Sequence, residues 1–272
     1  MSSGAPSVST KTTTGHDLDP ETRAEVDAAI AQVRTGARSW SALTLTQRRT
    51  LLQRVRVATA AVAQEWADTA STSKGLPPGH PLRGEEWLSG PYAAIVALNA
   101  YADTLHALAI GRSPLDGIRT GTAPGGRTVV HTSPLSATDG LLLSGYATEV
   151  WLQPGVDAAT AHREAGLGQR EPAASGGVGL VLGAGNITSI PYLDVLYELL
   201  AFNRVAILKV NPTQDALVPI FERALAPLIA RGFLRIVRGG GAEGSFLPHH
   251  PGTDPVQATE EAQHPLHRDR TP

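Results

Sequence analysis

The stretch VGLVLGAGNITSIPYLDVLYELLAFNRVAILKVNP, residues 178–212, sets a glycine-rich loop between an apolar run and an amphipathic one. Where a strand feeds a helix, the first helical N–H groups have no intrahelical partner and the helix dipole places partial positive charge there. An anion such as a pyrophosphate docks at that point if the backbone can approach it, which glycine permits. Gly183 and Gly185, with Ala184 between them, fit the opening of a dinucleotide fingerprint. Thr188 stands where the third glycine would be, and the acid usual at the end of the following strand is missing from ILKVNP. The same glycines serve equally well as turn residues.

Three further groups could carry chemistry. Lys209 closes the second apolar run, on the edge where doubly wound sheets bind ligands. Its ammonium can bond a ribose hydroxyl or pair with a 2′-phosphate, or it can be a solvated strand end. Asn186 follows the tight loop, where its amide can donate to an oxyanion. It can also cap the next helix or brace the turn. His249 and His250, with His264 and His267, raise the question of a metal, but adjacent histidines are poor co-ligands and the HxxH pair lies in a segment without periodicity. No G-x-S-x-G elbow and no P-loop lysine motif is present.

The bulk composition limits the possibilities. Charged residues make up 18% and the net charge is −2, so there is no basic excess for nucleic acid or an anionic membrane. The chain has no cysteine, which excludes disulfides, cysteine-ligated metals and a thiolate nucleophile of its own. MSSGAPSVSTKTTTGHD lacks an apolar core and no run reaches the ~18 apolar residues of a membrane helix, so a cytoplasmic protein is expected.

The elements that must hold these groups are readable from periodicity. Residues 1–18 read as a disordered tail and 19–177 as a helical region with short strands. Asp19 as N-cap and Pro20 as first helical residue open one helix, striped by Val26, Ile30 and Val33. A second covers 45–72 through Leu51, Leu52, Val55, Ala58, Val62 and Trp66, and a third is expected over 84–110. Residues 111–126 read as loop, 127–131 and 148–153 as strands, and 165–177 as a flexible connection. Residues 178–255 then alternate as βαβαβ, with strands at 178–182, 205–209 and 234–237 and helices near 190–202 and 215–231. Pro227 should bend the latter helix. This pattern calls for a partial doubly wound, Rossmann-like parallel sheet in an α/β chain. Residues 256–272 are polar, aperiodic and without a complete strand, and read as a disordered or aberrant tail.

Taken together, GLVLGAGNITSIPYLDVLYELL, VAILKVNP and LAPLIARGFLRIVRGGGAEGSFLPHHPGTDPV resemble the nucleotide-binding domain of the aldehyde dehydrogenase superfamily, in its outlying bacterial members. ALTLTQRRTLLQRV is similar to that family's arginine-rich opening helix. The resemblance covers residues 20 to about 255. It implies NAD or NADP as cofactor and oxidation of a small-molecule aldehyde to an acid. Asn186 matches the asparagine ending the family's P-W-N stretch, an oxyanion donor, while Ala184 and Gly185 replace Pro and Trp. Gly183, Ala184 and Gly185 would then contact cofactor through the backbone. Lys209 matches the lysine that contacts the adenosine ribose. The glutamate expected three residues on is Pro212, which makes NADP as admissible as NAD. Gly240 and Gly244 match the G-x-x-x-G at the pyrophosphate.

The departures are equally informative. After DPV the chain reads QATEE where F-T-G-S is expected, and both the E-L-G-G segment with its general base and the nucleophilic cysteine are missing. The expectation is an aldehyde dehydrogenase-like chain, truncated or frame-shifted near residue 255 and inactive alone. Two alternatives stay open: a catalytically dead NAD(P)-binding or interaction module, and an unrelated Rossmann-type NADP reductase.

Overall fold

The structure, a computed structural model, describes residues 18–174 and 176–253 in full and the backbone of 256–258. The N-terminal tail read over 1–18 lies outside the described residues except for Leu18, and so do His264 and His267.

Helix α1 (Pro20–Ser41) starts as its sequence dictates: the Asp19 carboxylate accepts from Glu21 N and Thr22 N at 3.1 and 3.0 Å. Val26, Ile30, Val33 and Trp40 form its buried face. Helix α2 (Leu45–Ser73) is opened by a capping box in which the Thr44 hydroxyl accepts from Gln47 N while Thr44 N donates to the Gln47 side chain. Its Trp66 is fully buried.

The expected helix over 84–110 is interrupted. It consists of α3 (Arg83–Trp87), a wide turn over Leu88–Tyr92 and α4 (Ala93–Ala109), with Gly90 outside helical geometry and Pro91 behind it. Packing accounts for the break. A Cβ on Gly90 would lie 3.1 Å from Thr188 Oγ1 and 3.2 Å from Trp66 Nε1, two atoms joined by a hydrogen bond of 2.9 Å.

Three short strands follow: β1 (Thr120–Thr122), β2 (Thr128–Ser133) and β3 (Thr148–Trp151), paired antiparallel in the order β1-β2-β3. β1 lies in the stretch read as loop, because a three-residue TGT has no pattern of its own and exists as a strand only through pairing with β2. Helix α5 (Ala137–Leu142) joins β2 to β3, and α6 (Ala158–Glu164) follows β3.

The parallel sheet holds β4 (Val178–Leu182), β5 (Val205–Lys209), β6 (Leu234–Val237) and β7 (Val256–Ala258) in the order β6-β5-β4-β7. β4 and β5 are buried on both faces, which is why they read as unbroken apolar runs. The crossovers run through α7 (Ile190–Leu200) and α8 (Val218–Ala224), and the right-handed sense that is the rule for such connections puts both helices on one face. There Trp66 of α2 packs against Tyr192 and, edge-on at 5.1 Å, against Phe221. The expected helix over 215–231 is divided into a 3₁₀ turn (Pro212–Leu217), α8 and α9 (Ala226–Ile229), with the break at Leu225, two residues before Pro227. The last crossover runs back through α10 (Gly241–Phe246) to β7 on the far side of β4. Residues 256–258 therefore form a strand where none was expected; residues 259–272 lie outside the described residues.

Candidate functional site

Strand order reverses between β4 and β7, so the carboxyl end of β4 is the topological switch point, the place where open α/β sheets take their ligands. The loop Gly183–Asn186 leaves the sheet there. Gly183 N–H still donates to Lys209 O at 2.9 Å, carrying the β4–β5 ladder one residue further. A Cβ on Gly183 would stand 3.1 Å from Pro191 Cγ and 3.2 Å from Lys209 O. On Gly185 it would stand 2.9 Å from both Asn211 Nδ2 and Thr213 Oγ1. A methyl at Gly185 forces the Asn211 or Thr213 side chain to shift, and one at Gly183 forces Pro191 or the end of β5 to give by a few tenths of an ångström. Ala184 is buried. The loop is clamped onto the turn after β5, where Asn211 Oδ1 accepts from Thr213 N and the Thr213 hydroxyl lies 3.0 Å from Gly185 O.

Thr188, at the position of the absent third glycine, is buried and accepts from the Trp66 indole N–H. It anchors the helical layer. Next to it, the Tyr192 hydroxyl shares a 2.7 Å hydrogen bond with Thr59, and burial raises its pKa well above the usual phenol range. Asn186 is exposed, and its Oδ1 accepts from Ile187 N at 2.9 Å. That bond orients the side chain and leaves its amide N–H₂ as donor.

Lys209 is 8% exposed. Its side-chain ammonium makes no hydrogen bond or ion pair among the described residues. It lies beside α10: a Cβ on Gly244 would be 3.8 Å from Lys209 Nζ. The structure therefore brings Lys209 and Gly244 together. Around Gly240 the Cβ side is open, with nothing within 4 Å. Its N–H is taken by Glu243 Oε2 at 2.7 Å, so the first turn of this six-residue helix is capped by its own glutamate. Sequence reading overlooked both Glu243 and the Asn211/Thr213 clamp. Each had a local signal: Glu three residues after a helix start, and Asn before Pro at a turn.

His249 and His250 face different partners. His249 Nδ1 lies 2.9 Å from Ser245 O. His250 Nδ1 accepts from Gly252 N, which leaves Nε2 to face Asp27 at 3.0 Å. Among the described residues no group of three or more His, Cys, Asp or Glu could hold a metal ion, and no helix is long and apolar enough to cross a membrane. These histidines line a cavity of about 400 Å³ with Arg23, Asp27, Phe246 and Pro251. No residue of the switch-point loop lines that cavity.

No protein-family model and no curated protein matches the chain. Solved structures do. Proline utilization A with proline bound in remote sites is 17% identical with a TM-score of 0.52, over 89% of this chain and 19% of that one. A proline utilization A variant from Bradyrhizobium japonicum is also 17% identical, with a TM-score of 0.50 over 88% and 19%. The aldehyde dehydrogenase KauB from Pseudomonas aeruginosa is 16% identical, with a TM-score of 0.46 over 86% and 37%. The chain shares the α/β fold of part of the proline utilization A chains and spans about a fifth of their length.

Proposed function

We propose that these residues form the dinucleotide-binding portion of an aldehyde dehydrogenase-type, NAD(P)-dependent oxidoreductase, and that on their own they bind nucleotide without oxidising aldehyde. The observation that carries this reading is Lys209: largely buried, its side chain without a partner among the described residues, at the carboxyl edge of β5 beside the switch point and against Gly244. With no partner for it among the described residues, that ammonium is available to a ligand's oxygens. Gly183, Ala184 and Gly185 hold the loop against the β5 turn, which fixes the crevice wall. Gly240 and Gly244 leave the opposite side open enough for a nucleotide backbone. Asn186, braced through Ile187 N, offers an amide to a developing oxyanion of an aldehyde substrate. The cofactor's nicotinamide, when bound, would supply the hydride acceptor. The chain contains no cysteine, so none of its own side chains can form the thioester that aldehyde oxidation of this type passes through. That absence favours a binding module over a turnover enzyme for this chain alone.

Calorimetric titration of the cooperatively folded protein tests the reading. NAD or NADP should bind saturably, and Lys209→Met should weaken binding about tenfold or more while leaving the melting temperature unchanged or raised, since the lost contact is charge-assisted. A folded protein that gives no heat with either cofactor would sink the proposal. Reduction of cofactor by the isolated chain in the presence of an aldehyde would overturn its second half.

A further inference from the structure

We propose a second ligand site, for inorganic phosphate or a phosphate monoester, in a cavity between α2 and the turn that enters β6, with Arg54 and Arg231 as its cations. The cavity measures about 230 Å³ and is lined by Thr46, Gln47, Thr50, Leu51, Arg54 and Arg231. None of these belongs to the switch-point loop, to α10 or to the end of β5, so the site is independent of the nucleotide reading above. The first five share one face of α2, at spacings i, i+1, i+4, i+5 and i+8. Arg231 stands three residues before β6, at the amino edge of the sheet. The groups that the polar members leave unused are all donors. The Arg54 and Arg231 guanidiniums make no hydrogen bond or ion pair among the described residues. Gln47 Oε1 accepts from Thr44 N at 2.9 Å, which commits the oxygen and leaves the amide N–H₂ to donate. Thr50 donates its hydroxyl to Thr46 O at 3.0 Å, whereas the Thr46 hydroxyl keeps its proton for another acceptor. No carboxylate lines the cavity. The flanking sequence has none to lend: residues 28–64 hold six arginines and no acid, and residues 223–242 hold no acid either. Two guanidiniums brought into one cavity repel each other, and an oxyanion between them turns both into charge-assisted donors. A phosphate suits this donor set. It carries a charge of roughly −1.5 to −2 at neutral pH, and the planar fork of an arginine engages two of its oxygens at once. Pockets for drug-sized ligands run to roughly 300–1,000 Å³, so this smaller one takes a free oxyanion or the phosphoryl end of a larger molecule.

Amide-detected NMR titrations of the full chain test this, with inorganic phosphate, phosphoserine and succinate as separate probes at a constant ionic strength of about 0.1 M set with chloride. The expected result is a saturable shift of the Thr46, Gln47 and Arg231 resonances with phosphate or phosphoserine, the tighter of the two distinguishing free anion from monoester. Succinate should bind about tenfold or more weakly. Arg54→Gln and Arg231→Gln, both at exposed positions, should each weaken phosphate binding about tenfold, because each deletes charge-assisted bonds, and should leave the affinity for NAD or NADP as it was. Lys209→Met should leave the phosphate shifts at α2 intact. Shifts no larger than chloride alone produces overturn the proposal. Phosphate binding that is lost in Lys209→Met and kept in both arginine variants also overturns it, by assigning the anion to the nucleotide crevice. Succinate binding as tightly as phosphate overturns the choice of ligand. A chain that binds phosphate at α2 but neither NAD nor NADP takes down the nucleotide reading and leaves this site standing.

Discussion

Arg48 is fully buried on α2, and no carboxylate among the described residues pairs with it. Its guanidinium donates to four neutral oxygens: Gln169 Oε1 at 2.7 Å, Asn203 Oδ1 at 2.6 Å, Trp40 O at 2.9 Å and Pro172 O at 2.7 Å. It also lies over the Trp40 ring at 4.3 Å. Burial lowers its pKa to about 10, the mark of a charge held at a desolvation cost. Arg48→Met keeps most of the volume and removes the charge, so two effects compete. Relief of desolvation stabilises the variant, and replacement of a whole buried ionic group by apolar residues is often neutral or favourable. Here only one side of the network is replaced. Asn203 Oδ1 keeps the Trp40 indole, Pro172 O keeps Asn203 Nδ2 and Trp40 O keeps Leu43 N, whereas Gln169 Oε1 loses its only donor among the described residues. An orphaned buried acceptor costs about 1–3 kcal/mol, and the three weakened acceptors add to it. The expected loss is therefore about 2–4 kcal/mol. Urea unfolding followed by tryptophan fluorescence measures it, with Trp40 inside the perturbed cluster as reporter. The midpoint should fall with an unchanged slope. A variant as stable as the parent, or more so, would refute the reasoning by showing that desolvation outweighs the hydrogen bonds. Arg48→Ala should cost about 2 kcal/mol more, because a cavity is added.

The site glycines should separate into two kinds. Gly185→Ala drives a methyl to 2.9 Å from Asn211 and Thr213 and should cost about 1–3 kcal/mol in urea unfolding, whereas Gly240→Ala, with open space at its Cβ, should stay within about 0.5 kcal/mol. Equal costs would contradict the packing argument. At the start of α1, hydrogen bonds from Thr22 and then Glu21 hold the Asp19 carboxyl below its usual range. A depressed pKa contributes stability that is present above the unfolded value and lost as pH falls through the folded one. The difference in urea midpoint between parent and Asp19→Ala should accordingly be constant near neutrality and shrink below about pH 4. A difference unchanged at pH 2.5 would count against the cap.

What the sequence disclosed, and what it hid, follows from the range of the forces involved. Asp19-Pro20, the stripe from Leu51 to Trp66 and the doubly buried runs at 178–182 and 205–209 are local patterns, and they set the elements almost to the residue. Gly90-Pro91 was a local signal too, but its reason is a hydrogen bond between Trp66 and Thr188, residues 122 apart in the chain. The Arg48 network joins residues 121 and 155 apart, and no window of sequence contains it. It also bears on the site. Asn203 sits at φ 58 in the turn that launches β5, a conformation an asparagine keeps when its side chain is tied down. Its ties run to Trp40 and Arg48, through the opening helices. β5 is only five residues long and ends at Lys209, so the helical region fixes where the ammonium emerges. The position of Lys209 at a strand end could be read from ILKVNP. That it is largely buried, with no side-chain partner among the described residues, could not, because those properties depend on α10 folding over it from thirty-odd residues downstream, with Glu243 turned away to its own helix cap.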